Sequence, residues 1–175
     1  MKDMVLDLFN VNDLKCRKTW SSNRLPENYD DFEKYSHIIL GHLTSEKNLY
    51  NVMEKGLLPR VKGTQEVEGS TPTNPEYVYL TNCINSSYYL SRATDNSTNY
   101  KGIVIIVKIK RDNLEADENT FSPVELKKVD IKSQYALWQS LCFGLCKHHG
   151  AIKKENMLGI YSEDGSCIWR NESAV

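Results

Sequence analysis

The amino-acid sequence predicts an α+β domain dominated by strands, and three observations carry that prediction. Two runs, SHIILGHL at 36–43 and KGIVIIVKIK at 101–110, are apolar and β-branched over strand length. Two further apolar runs, at 157–161 and 166–170, flank Glu163-Asp164-Gly165, a tight hairpin turn. Helical periodicity is confined to short segments, and 175 residues suit one domain around one core.

In chain order, residues 1–36 are polar, with Trp20 and a turn at 25–28, and predict a short helix and a draped arm ahead of a domain at 37–175. The run at 36–43 predicts a strand covered on both faces. Thr44-Ser45-Glu46-Lys47 then opens a helix in which Leu49, Val52, Met53 and Leu57 recur at i, i+3, i+4 and i+8, with Gly56 closing it. Residues 60–76 hold several breakers and no periodicity, a loop of the length used for functional lids. YVYLT at 77–81 predicts a strand, and 82–87 the start of a helix that carries Tyr88 and Tyr89.

The 101–110 run is the strongest β segment and is expected at the centre of a sheet. Beyond it, 112–118 predicts an acidic turn and 123–129 another short strand. Residues 134–149 fit a helix or a pair of strands, because Gly144 weakens either.

Composition narrows the function. The 22 Lys and Arg against 23 Asp and Glu give a net charge of −1, which removes the broad positive field that polyanion binding needs and favours a protein or small-molecule partner over nucleic acid. Arg60 to Lys62, Lys147-His148-His149 and Lys153-Lys154 are left as local basic clusters. The apolar run at 102–107 is too short to span a bilayer, and the N-terminus has acids where a signal peptide needs an apolar stretch. A cytoplasmic setting with no membrane partner is therefore expected. Cys16, Cys83, Cys142, Cys146 and Cys167 form an odd set without a CxxC pair, which predicts reduced thiols and neither disulfides nor zinc. GxGxxG, P-loop, HExxH and GxSxG motifs are absent, and the adjacent His148 and His149 diverge on any regular element, so no metal is expected.

What stands out is a succession. A strand ends in Gly41-His42-Leu43-Thr44-Ser45 and a helix ends in Lys55-Gly56-Leu57-Leu58-Pro59. A loop leads to Val78-Tyr79-Leu80-Thr81, then Tyr88 and Tyr89, then the apolar strand at 103–109 followed by Leu114 and Asp117. Over residues 37–118 this order resembles the ADP-ribosyltransferase fold family. The resemblance is to its His-Tyr-Glu branch, which includes poly(ADP-ribose) polymerases and DarT-like nucleic-acid-modifying toxins. It implies split antiparallel β-sheets with small flanking helices, NAD as substrate, and mono-ADP-ribosylation of a macromolecule, as in a toxin or effector.

The resemblance also implies roles. His42 would hydrogen-bond a ribose, the backbone at Leu43 and Thr44 would clamp the carboxamide, and Tyr79 with Tyr88 or Tyr89 would sandwich the nicotinamide. These residue types suit the ligand: a carboxamide needs a backbone donor and acceptor, a cationic ring favours aromatic faces, and ribose hydroxyls need a His or an acid. The family's Glu, which stabilises the oxocarbenium-like transition state, has no clean counterpart on a strand. Gln139 stands where some diverged members carry an acid. Glu155 sits in a segment similar to the family's I-P-P-E-x-I step with both prolines lost, and Glu163 and Asp164 are third choices. The same features admit a catalytically diverged binding or inhibitor module that acts on a protein partner. They also admit an RNA 2′-phosphotransferase relative, although Arg60 and Arg92 do not form its R-x-x-H opening.

Overall fold

The computed structural model describes residues 3–9, 11–15, 24–59, 74–82 and 101–174. Among them eight strands form one hydrogen-bonded sheet: β1 (Val5–Asp7), β2 (His37–Ser45), β3 (Tyr77–Thr81), β4 (Gly102–Lys110), β5 (Leu114–Ala116), β6 (Leu145–His149), β7 (Met157–Ser162) and β8 (Cys167–Arg170). Their order is β5-β6-β3-β2-β4-β7-β8, with β1 parallel to the start of β2 and every other pair antiparallel. The described α-helices are short: α1 (Val11–Lys15), α2 (Tyr29–Phe32), α3 (Leu49–Lys55) and α4 (Gln134–Cys142). The fold class is α+β, as the strand-rich pattern predicts. None of the described helices is long and apolar enough to cross a membrane.

β4 lies between β2 and β7, and its alternation builds two cores. Ile103, Ile105, Val107 and Ile109 face the main cluster with Ile38, Leu40, Leu80, Leu137 and Ile160, while Val104 and Ile106 face a second cluster with Phe9 and Leu14. Burying each Ile or Val contributes about 1.5–3 kcal/mol, so this one strand anchors both faces of the sheet.

The N-terminal segment differs from the expected draped arm. Val5, Leu6 and Asp7 pair with His37, Ile38 and Ile39, and Leu6, Leu8 and Phe32 belong to the main core. A three-residue strand carries too little alternation to be seen in sequence; its partner strand makes it.

Other differences have local causes. Inside the expected acidic turn, Leu114 and Ala116 are buried while Glu115 projects to the other face, and the three form β5 against β6. The strand expected at 123–129 is instead a run of turns. The Ser122 N–H donates to Glu125 Oε2 at 2.8 Å and the Glu125 N–H to Ser122 Oγ at 3.3 Å, a reciprocal cap that favours a helical turn. With Val124 63% exposed, no apolar face holds an extended chain there. The ambiguity at 134–149 resolves into α4 followed by β6. Ser133 caps the helix by accepting from the Ala136 N–H, and Gly144, at φ 89°, makes the left-handed step that ends it. The expected helix with Tyr88 and Tyr89, and most of the expected loop at 60–76, lie outside the described residues.

Candidate functional site

β2 and β3 are joined through a single pair, Gly41 with Thr81, which divides the sheet into the halves β5-β6-β3 and β2-β4-β7-β8. Backbone direction explains the division. The His37 N–H reaches Met4 O and Ile39 O accepts from the Leu8 N–H, so the odd residues of β2 turn their amides toward the β1 and β3 edge. Gly41 meets Thr81 on that edge, and the next ladder step would join Leu43 to Tyr79. That step is not made. Tyr79 O instead lies 2.8 Å from His42 Nδ1, so an imidazole stands where the ladder would continue. Facing a carbonyl, Nδ1 carries the ring proton, which leaves Nε2 as the acceptor nitrogen of the neutral ring. The N–H and C=O of Leu43 therefore border the split with no strand partner on that edge among the described residues.

Tyr79 stands half-buried beside this notch, and its hydroxyl accepts from the Asn74 N–H at 2.9 Å. Burial pushes its phenol from 10.0 up to about 12, and the carboxylates of Glu118 and Asp117 add to the rise. An ultraviolet difference titration of the wild type against Tyr79→Phe is expected to show one phenol ionising near pH 12, at a stability cost of about 1 kcal/mol for the lost hydrogen bond. A difference curve centred at pH 10 would mean that the ring is not buried.

Thr44 Oγ1 accepts from Asn48 Nδ2 at 2.8 Å, tying the end of β2 to the start of α3, and the Leu43 side chain packs on the Phe9 cluster. The structure thus joins His42 to Tyr79 through the Tyr79 carbonyl, with Leu43 and Thr44 next along β2. By strand alternation the His42 side chain shares the face of Ile38, Leu40 and Ile105, and the Tyr79 ring the opposite one. Tyr88 and Tyr89 lie outside the described residues. Gln139 is on α4, whose Leu137 and Leu141 cover the face of β5-β6-β3 that carries Val78, Leu80, Leu114 and Cys146. Tyr79 projects from the opposite face, so the half-sheet separates the two side chains. Gln139 Oε1 is buried without a hydrogen-bond partner. Glu155 is exposed in the turn Lys154–Asn156, 3.9 Å from Lys153 Nζ, and Glu163 and Asp164 are exposed in the β7–β8 turn.

The structure adds residues that sequence reasoning missed. Lys147 of β6 is directly opposite Tyr79, is 3% exposed, forms an ion pair with Glu118, and sets Nζ 4.4 Å from the centre of the Tyr77 ring. The Tyr77 hydroxyl donates to Glu115 Oε2 at 3.2 Å, and Glu115 pairs with Lys147 across β5 and β6. Asp117 is also buried; burial raises its pKa, opposed by hydrogen bonds from Asn119. In sequence Lys147 belongs to a surface-like basic cluster, and only the register of three strands turns it inward.

An open depression of about 680 Å³ lies at the Tyr77 and His149 end of the same strands, lined by Glu76, Asp112, Glu115, Lys132 and His148 among others; its lining includes neither His42 nor Tyr79. There the two adjacent histidines diverge. His148 Nδ1 lies 3.3 Å from Gly150 O, while His149 packs edge-on against Tyr77.

Neither a protein-family model nor a curated protein matches the chain. Among solved structures it is similar to a mutant of the E. coli heat-labile enterotoxin, at 15% identity over 77% of this chain and 76% of that one, with a TM-score of 0.43.

Proposed function

We propose that the protein is a mono-ADP-ribosyltransferase, which cleaves the nicotinamide–ribose bond of NAD and transfers ADP-ribose to a macromolecular acceptor, a protein in preference to a nucleic acid. The observation that carries this reading is the notch opened by the His42–Tyr79 contact. An N–H and a C=O of one extended residue, Leu43, match the two polar atoms of a carboxamide, and the Tyr79 ring offers a face to a cationic heterocycle. Nε2 of His42 accepts from a ribose hydroxyl. The C1′–N bond breaks with both electrons going to nicotinamide, and an acceptor nucleophile bonds C1′ and loses its proton.

The test is incubation of the protein with NAD labelled in the ADP-ribose moiety, with and without cell extract. Release of nicotinamide with transfer of label supports the reading; neither event in either arm rejects it. The exposed position of Glu155 favours a second reading, a diverged module that binds without turnover, and calorimetric binding of NAD with no nicotinamide release would select it. Since Glu155 is exposed and its ion-pair partner among the described residues is Lys153 at 3.9 Å, Glu155→Ala is expected to change nicotinamide release by no more than about twofold, the effect of an ordinary surface substitution. A hundredfold loss would make it the acid of the site.

A further inference from the structure

We propose that Glu118, held by Lys147 beside Tyr79, is the charged group with which this site selects a cationic pyridinium ring over a neutral one. The inference rests on the NAD reading and names what that site discriminates. Tyr79 O points toward β2, so the Tyr79 and Lys147 pair is of the non-hydrogen-bonded kind, in which facing side chains approach most closely. Lys147 reaches from there to Glu118, passing over the Tyr77 ring. Among the described residues, Glu115 is tied to the Tyr77 hydroxyl and Asp117 is buried against Asn119, which leaves Glu118, partly exposed on Lys147, as the carboxylate open to a ring stacked on Tyr79.

Stability alone does not account for the pair. A buried ion pair recovers little more than its desolvation cost, and a shape-matched apolar pair often serves as well. Lys147 is closed off from water while the Glu118 side chain keeps 24% exposure, so the lysine acts as an anchor and the carboxylate as the member that faces outward. A fixed carboxylate in a water-poor site attracts a pyridinium more strongly than the same group in bulk solvent.

NAD and NADH differ only in the nicotinamide ring, which in NADH has gained a hydride at C4 and is neutral and non-aromatic; the shift of their affinity ratio between variants reads the charge, which makes them the probes. Wild type is expected to bind NAD about tenfold more tightly than NADH by calorimetry, the ratio of one modest charge interaction. Glu118→Gln alone would strand a buried lysine, so the informative variants are the double Glu118→Gln/Lys147→Met and the single Lys147→Met. The double variant is expected to melt within a few degrees of wild type and to bind NAD and NADH with a ratio near one. Lys147→Met frees Glu118 from its partner and is expected to raise the ratio above wild type. Opposite shifts in the two variants cannot come from a general loosening of the fold. A ratio unchanged in both would overturn the role of Glu118 while leaving the NAD site standing; a wild type that binds neither nucleotide would overturn both together.

Discussion

Replacing His42 by alanine is expected to lower nicotinamide release by about a hundredfold or more, because two jobs of one ring are lost together. Nδ1 occupies the Tyr79 carbonyl at 2.8 Å and keeps β2 and β3 apart beyond Gly41, and on the proposed reading Nε2 accepts from a ribose hydroxyl of NAD. His42→Asn separates the jobs. Its side-chain amide sits at the δ position and can donate to Tyr79 O, yet nothing remains at the ε position. The asparagine variant is therefore expected to recover most of the roughly 1 kcal/mol of stability lost in His42→Ala, while nicotinamide release stays low. Chemical denaturation reads the first quantity and nicotinamide release the second. If His42→Asn turns over NAD at the wild-type rate, Nε2 has no part in the reaction and the ring is only a wedge between strands.

Why the notch is legible in sequence, and its surroundings less so, follows from where each signal resides. β2, β4 and the β7–β8 hairpin declare themselves because their apolar runs are continuous or alternate over strand length, and α3 because Leu49, Val52 and Met53 repeat at helical spacing. The positions of His42 and Tyr79 in the fold are legible because each lies within a strand, β2 or β3, whose β-branched, aromatic and apolar residues declare it. β1 and β5, at three residues each, are formed by pairing with β2 and β6 rather than by their own composition. The turns around Ser122 and Glu125 show the reverse error, since an alternating pattern there yields to a reciprocal side-chain cap. Lys147 and Glu118 are 29 positions apart, and neither residue's neighbours betray the other; only the three-strand register sets them beside Tyr79.

Gly41→Ala is expected to destabilise the fold by about 2 kcal/mol, through steric conflict and not backbone strain. A Cβ at this position would lie 2.5 to 2.8 Å from three carbons of the Phe9 ring. That ring is 1% exposed and packs with Leu14, Val104 and Ile106, so it has no open side into which to withdraw. Gly41 is also the residue through which β2 meets β3, so any shift that relieves the clash moves the strand edge carrying His42 and Leu43. A urea midpoint lower by about 1 M is the readout, given a slope of roughly 2 kcal/mol per molar for a domain of this size. Phe9→Leu tests the cause: it removes the ring edge that the new methyl would strike, at the cost of some packing of its own. In a double-mutant cycle the two substitutions are expected to couple by about 1 kcal/mol or more, the pair being less damaging than the sum of the singles. Strict additivity would mean that β2 yields elsewhere, and that the N-terminal segment does not set how closely the two half-sheets approach at the notch.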